Sequence, residues 1–172
     1  MALSSRFLAL CSATSLAFVP LGAAWAQGVA AREAPAAHED QLATMFRWWN
    51  EAMKTPGALT QANFARFFTP DATLTLNGVE VIQGLDDWVS HFTKIQASGA
   101  RVEIVVPFKA SFREGDRLYT YHVIRSRRDG AVSCMLAAGH ATLREGKIAA
   151  IVLLRAPLDM TAGPVDPACW TH

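Results

Sequence analysis

RVEIVVPFKASFREGDRLYTYHVIRSRRDGAVSCMLAAGHATLREGKIAAIVLLRAP, residues 101–157, decides the fold. Much of it alternates apolar and polar with the period of two that half-buries a strand, and Gly115-Asp116, Asp129-Gly130 and Glu145-Gly146 punctuate it as tight turns. The reading predicts four long strands, Arg101–Arg113, Arg117–Arg128, Ala131–Arg144 and Lys147–Pro157, joined as an antiparallel meander. Ahead of them the period lengthens. Leu42, Met45, Phe46, Trp49 and Met53 recur at spacings of three and four, which predicts an amphipathic helix over 39–54 ended by Thr55-Pro56-Gly57. Thr60 caps a second helix striped by Phe64, Phe67 and Phe68 and stopped at Thr69-Pro70. Ala72–Leu76 and Val79–Ile82 form a hairpin about Asn77-Gly78, and Leu85, Trp88, Val89, Phe92 and Ile95 stripe a third helix. The expected fold class is α+β: three N-terminal helices packed on one face of a curved antiparallel sheet.

The 172 residues are 51% hydrophobic and 18% charged, enough for one domain with a core and too apolar for a disordered chain. Sixteen Lys and Arg against fifteen Asp and Glu give no basic footprint, so no nucleic-acid partner is expected. Residues 1–26 begin with one positive charge at Arg6, run apolar from Phe7 to Val19 and end in Ala24-Trp25-Ala26, the three-part pattern of a secretory signal peptide cleaved before Gln27. Pro20 and Gly22 break the run before it reaches the roughly 20 apolar residues of a membrane span. Residues 27–37 read as a flexible leader, 38–158 as the domain and 159–172 as a C-terminal tail. The expected location is periplasmic or secreted, with no membrane attachment after cleavage. Cleavage removes Cys11 and leaves Cys134 and Cys169 in an oxidising compartment, either bridged or as a buried Cys134 and a separate tail thiol.

MFRWWNEAM, ARFFTPDATLTLNG, VIQGLDDWVSHFTKI and ATLREGKIAAIV resemble, in sequence and order, the nuclear-transport-factor-2-like superfamily, especially its SnoaL-like (polyketide cyclase-like) branch. The resemblance spans roughly Glu39 to Leu158 and implies a cone-shaped α+β barrel with an apolar pocket between sheet and helices, often dimeric. It does not choose a function, because the superfamily holds isomerases, cyclases, hydrolases, dehydratases and binders without activity. The catalytic carboxylate of its steroid isomerases would fall on Leu76, which cannot take a proton. His122 is similar in placement to the histidine of the SnoaL-like cyclases, but their aspartate would fall on Gly139 or His140. The Asp-Arg-Asp set of the epoxide hydrolases has no counterpart in the expected strands.

Counting outward from two-residue turns places opposite residues on one face. That count gathers Val102, Ile104, Tyr119, Tyr121, Arg125, His140, Ile151, Leu153 and Arg155 on the face read as concave, with Tyr119 opposite His140. His140 would serve as acid or base with Tyr119 beside it, His122 being the second candidate; the plainer alternative is a hydrogen-bonded core histidine. Tyr121, Trp49 and Trp88 are candidate pocket walls, while Arg125 and Arg155 either hold a ligand oxygen or reach solvent from strand ends. Asp71 either shapes the turn into the first strand or reaches the pocket mouth. The opposite face, including Thr120, His122, Ile124, Met135 and Ala137, is apolar enough to require cover, for which a homodimer contact is expected. Gly139 is marked as a place where a bulge would exchange the faces. His38-Glu39-Asp40 offers metal-binding types on adjacent residues that converge poorly on one ion, so neither metal nor cofactor is expected. Two functions follow: an exported domain binding a small apolar molecule, or a cofactor-free acid–base enzyme acting on a hydrophobic carbonyl substrate.

Overall fold

The computed structural model describes residues 41–171. The expected signal peptide, the leader, His38-Glu39-Asp40 and His172 lie outside them. The elements run α1 (Gln41–Ala52), α2 (Gln61–Phe64), β1 (Phe68–Leu76), β2 (Val79–Gln83), α3 (Gly84–Ala97), β3 (Arg101–Ile104), β4 (Ala110–Glu114), β5 (Arg117–Arg128), β6 (Ala131–Arg144) and β7 (Lys147–Pro157). The bounds of β5, β6 and β7 coincide with the expected ones, because a two-residue turn ends each strand beyond ambiguity. The second helix is shorter than expected. Thr60 does cap it, its hydroxyl accepting from the Asn63 amide at 3.3 Å, but the chain is already extended at Phe68. Pro70 disfavours helical backbone at the residue before it, and Phe68 pairs with Ile148 of β7 instead.

The seven strands form one sheet in the order β2-β1-β7-β6-β5-β3, with β4 also on β5. The sheet is mixed and not all antiparallel, because β1 runs parallel to β7 from Thr73 opposite Ala150 to Leu76 opposite Leu153. Tight turns enforce antiparallel pairing only between the strands they join. Here α3 and the whole meander separate β1 from β7 and leave their relative direction free.

Two odd-numbered interruptions correct the expected faces. The strand expected over 101–113 is two strands: β3 pairs Ile104 with Ile124, β4 pairs Ala110 with Tyr121, and five residues on one side face two on the other. Near the other end, Thr142 lies opposite Ala150 and Leu143 opposite Ile148, so Ala149 is one residue too many in β7. Each interruption changes parity, and side chains alternate. Consequently Val102, Ile104, Ile151 and Leu153 share the helix-covered concave face with Leu118, Thr120, His122, Ile124, Ala137 and Ala141. Tyr119, Tyr121, Arg125 and His140 occupy the convex face. Their mutual register is the expected one, with Tyr119 opposite His140. Gly139 carries no bulge, since Thr120 and Leu153 pair with it in unbroken ladders. A Cβ there would lie 1.9 Å from the Val152 carbonyl oxygen, so glycine is needed for a close approach of β6 to β7.

The helices cover the concave face. Leu42, Met45, Phe46 and Trp49 of α1 and Trp88 of α3 are at most 5% exposed, packed with Phe64, Phe68, Ile148 and Ile151. A smaller cluster on the convex face joins Val123 and Leu136 to the tail, closed by a Cys134–Cys169 disulfide with its Cα atoms 5.7 Å apart.

Candidate functional site

Where α1 and α3 bridge the sheet they leave a cavity of about 120 Å³. Its walls are Met45, Phe46 and Trp49 from α1, Trp88, Phe92 and Ile95 from α3, Leu74 and Leu76 from β1, Val102 and Ile104 from β3, Ile124 from β5, and Ile151 and Leu153 from β7. His91 of α3 and Arg155 of β7 complete the lining.

The helices are held over this space by amides that meet backbone. Asn50 donates to the Ile104 carbonyl at 2.8 Å and accepts from the Ile104 amide at 3.0 Å, using both groups that β3 turns toward α1. Gln96 donates to the carbonyls of Ala52 and Met53, each at 3.1 Å, and so ties α3 to the end of α1. Ring contacts fill the space between: Trp88 packs 4.4 Å from Phe68 and 5.6 Å from Phe92, and Phe92 lies 5.2 Å from Trp49. The indole N–H of Trp88 donates to the Ala72 carbonyl at 3.1 Å, whereas that of buried Trp49 has no acceptor among the described residues.

His91 is the imidazole of the cavity lining. It sits edge-on to Phe92 at 5.0 Å; partial burial, then the positive charges of Lys94 and Arg155, hold its pKa below the ordinary histidine value. It is therefore neutral at pH 7. No Asp or Glu is among the described lining residues.

The expected site residues divide three ways. Trp49, Trp88 and Arg155 line the cavity. His122 faces the same side but stands behind that lining, fully buried, its ring 5.8 Å from Phe46 and 5.4 Å from Phe108 and neither nitrogen hydrogen-bonded among the described residues. Burial pushes its pKa down to about 4. The rest are elsewhere. His140, Tyr119 and Tyr121 border a shallow convex groove with Phe112, whose ring stacks 4.7 Å from Tyr119, itself 5.4 Å from His140. Burial, then Arg117, lowers the His140 pKa. Arg125 is committed to Glu103 and, at 2.9 Å, to the Ala168 carbonyl of the tail. Asp71 is exposed and paired with Arg144, which lowers its pKa. The expected grouping of His140 and Tyr119 with Arg155 is thus not assembled, because the parity change puts the first two on the convex face.

From the sequence, His91 reads as a histidine next to the apolar stripe of the third helix with a merely structural role, whereas it lines the cavity. It lies three residues after Trp88 and four before Ile95, hence on the stripe already recognised, and a polar residue within an apolar stripe was the available signal.

No protein-family model and no curated protein matches the sequence. Solved structures do match. An NTF2-like protein of unknown function from Exiguobacterium sp. 255-15 is similar at a TM-score of 0.54 and 21% identity, over 69% of this chain and 98% of that one. A protein classed as a SnoaL-like polyketide cyclase from Jannaschia sp. CCS1 matches at 0.52 and 16% identity, over 67% and 84%. A protein with a ketosteroid isomerase-like fold from Catenulispora acidiphila DSM 44928, solved with trimethylamine, matches at 0.52 and 15%, over 68% and 85%. At such identities the likeness is one of fold: the chain has the nuclear-transport-factor-2-like α+β fold, a curled mixed sheet with helices packed against it.

Proposed function

We propose that this chain is an exported domain of the SnoaL-like kind that binds a small apolar molecule in the cavity beneath α1 and α3, and that it works as a homodimer. The observation that carries the binding reading is the cavity itself, walled by hydrocarbon and aromatic side chains with two polar groups beside them, the composition of a small-molecule site. Export is supported by the signal-like residues 1–26 and by the Cys134–Cys169 disulfide, a bond that persists in oxidising compartments.

Native mass spectrometry of the protein recovered from a bacterium expressing the full chain tests this reading. The expected species is a periplasmic dimer of residues 27–172 that releases a small molecule on activation or takes up toluene after dialysis. An uncleaved cytosolic product overturns export. A protein that releases nothing and takes up no toluene overturns binding.

A further inference from the structure

We propose that the cavity takes the anion of a small aromatic or branched-chain carboxylic acid, its apolar body inward and its carboxylate held at the mouth by Arg155 and His91. This assignment rests on the binding reading above and adds the chemical class of the ligand.

Size limits the apolar body. An engineered cavity of about 150 Å³ with hydrocarbon walls holds benzene, so a cavity of about 120 Å³ admits one small ring or a short branched chain. A polycyclic guest does not fit. Charge selects the head. Among the described lining residues all are aliphatic, thioether or aromatic except His91 and Arg155, and both can present N–H donors to an anion. Three other arginines of the domain have carboxylate partners among the described residues: Arg101 and Arg125 have Glu103, and Arg144 has Asp71. Among the described residues the Arg155 guanidinium has neither an ion pair nor a hydrogen bond; only its backbone amide is engaged, donating to the Asn77 side chain at 2.7 Å. The acids of α3 nearest His91 are turned away, Asp87 accepting from the Gln83 amide at 3.3 Å and Asp86 from the Gln61 side chain. Lys94, one turn beyond His91, adds further positive charge.

A guanidinium with no acid beside an apolar cavity leaves a charge that a guest carboxylate satisfies in fork geometry. A neutral guest of the same size fills the space without engaging it. The same anion would reverse the local field at His91, which now sees Lys94 and Arg155 only as repelling charges.

Calorimetric titration with benzoate and with toluene, at pH 7 and low salt, separates the ligand class from the binding reading. The expected result is at least tenfold tighter binding of benzoate than of toluene, a preference lost in Arg155→Gln. His91→Gln should narrow the benzoate-to-toluene preference severalfold, and bound benzoate should raise the titration midpoint of His91 followed by NMR. Equal affinity for the two probes, or a benzoate preference that survives Arg155→Gln, overturns the carboxylate assignment and leaves an apolar binder standing. Failure of both probes to bind overturns the assignment and the binding reading together.

Discussion

His122 carries the most exposed physical argument at the level of single residues. Its imidazole is fully buried between Phe46 and Phe108 and has no hydrogen-bond partner among the described residues, which favours the neutral ring there. The folded pKa is about 4 and the unfolded chain titrates near 6.5, so the unfolded state binds this proton first as pH falls. Stability from this group is therefore complete above pH 6.5 and is lost progressively toward pH 4. The shift is worth about 3 kcal/mol by the standard conversion. His91 and His140, both shifted in the same direction, add to the loss. Urea unfolding at pH 7 and pH 4.5 should show a decline in the wild type about 2 kcal/mol larger than in His122→Leu. Equal declines would place the proton elsewhere. His140 gives the complementary lesson: its register partner Tyr119 was legible from one turn, but which side of the sheet the pair occupies was decided by residues far from both.

Among the elements, the tail shows how a segment without regular structure becomes part of the fold. Residues 159–171 are anchored by the Cys134–Cys169 disulfide, by Lys109 and Asp166 at 2.6 Å, and by Trp170, whose ring lies 4.9, 4.8 and 5.4 Å from the guanidinium carbons of Arg101, Arg125 and Arg127. Arg125, expected to hold a ligand, holds this tail instead. The disulfide closes a 35-residue separation, for which chain entropy gives about 3–4 kcal/mol. The double variant Cys134→Ala with Cys169→Ala should unfold at correspondingly lower urea, and a limited proteolysis time course should show cleavage after Leu158 before any in the sheet. A double variant as stable and as resistant as the wild type would make the bridge incidental. The cavity, lined from other elements, should keep its toluene affinity in that variant.

For the whole molecule, the convex face sets the question of assembly. Two cross-strand rows run over it, Phe112-Tyr119-His140-Val152 and Ala110-Tyr121-Ala138-Leu154, each crossing β4, β5, β6 and β7. Phe112 is 62% exposed and Leu154 65%, large apolar side chains on a continuous patch beside the tail-covered cluster. The proposed homodimer would bury these rows. Light scattering should give a dimer for the wild type and a monomer for Phe112→Lys with Leu154→Lys, while toluene binding persists because the cavity is on the other side of the sheet. A wild-type monomer at micromolar concentration would end the dimer proposal and leave the binding site untouched.

Local chemistry determined the elements. Asn77-Gly78, Asp129-Gly130 and Glu145-Gly146 adopt the positive φ that two-residue turns demand at both positions, so the strands they end could be read residue by residue. The three- and four-residue spacing of Met45, Phe46 and Trp49, and of Trp88, Phe92 and Ile95, marked the helix faces that line the cavity. Tertiary structure alone decided which sheet face those helices cover. One extra residue at Ala149 and three between β3 and β4 each invert the alternation, and no short-range signal distinguishes such insertions from a continuing strand. The pairing of β1 with β7 was equally hidden, because a parallel contact across the sequence between Leu76 and Lys147 is selected by packing over the whole sheet and not by any turn. Arg155 and His91 reach one cavity for the same reason: one comes from the far end of β7, the other from the middle of α3, and only the packing of α3 over the sheet brings both to its lining.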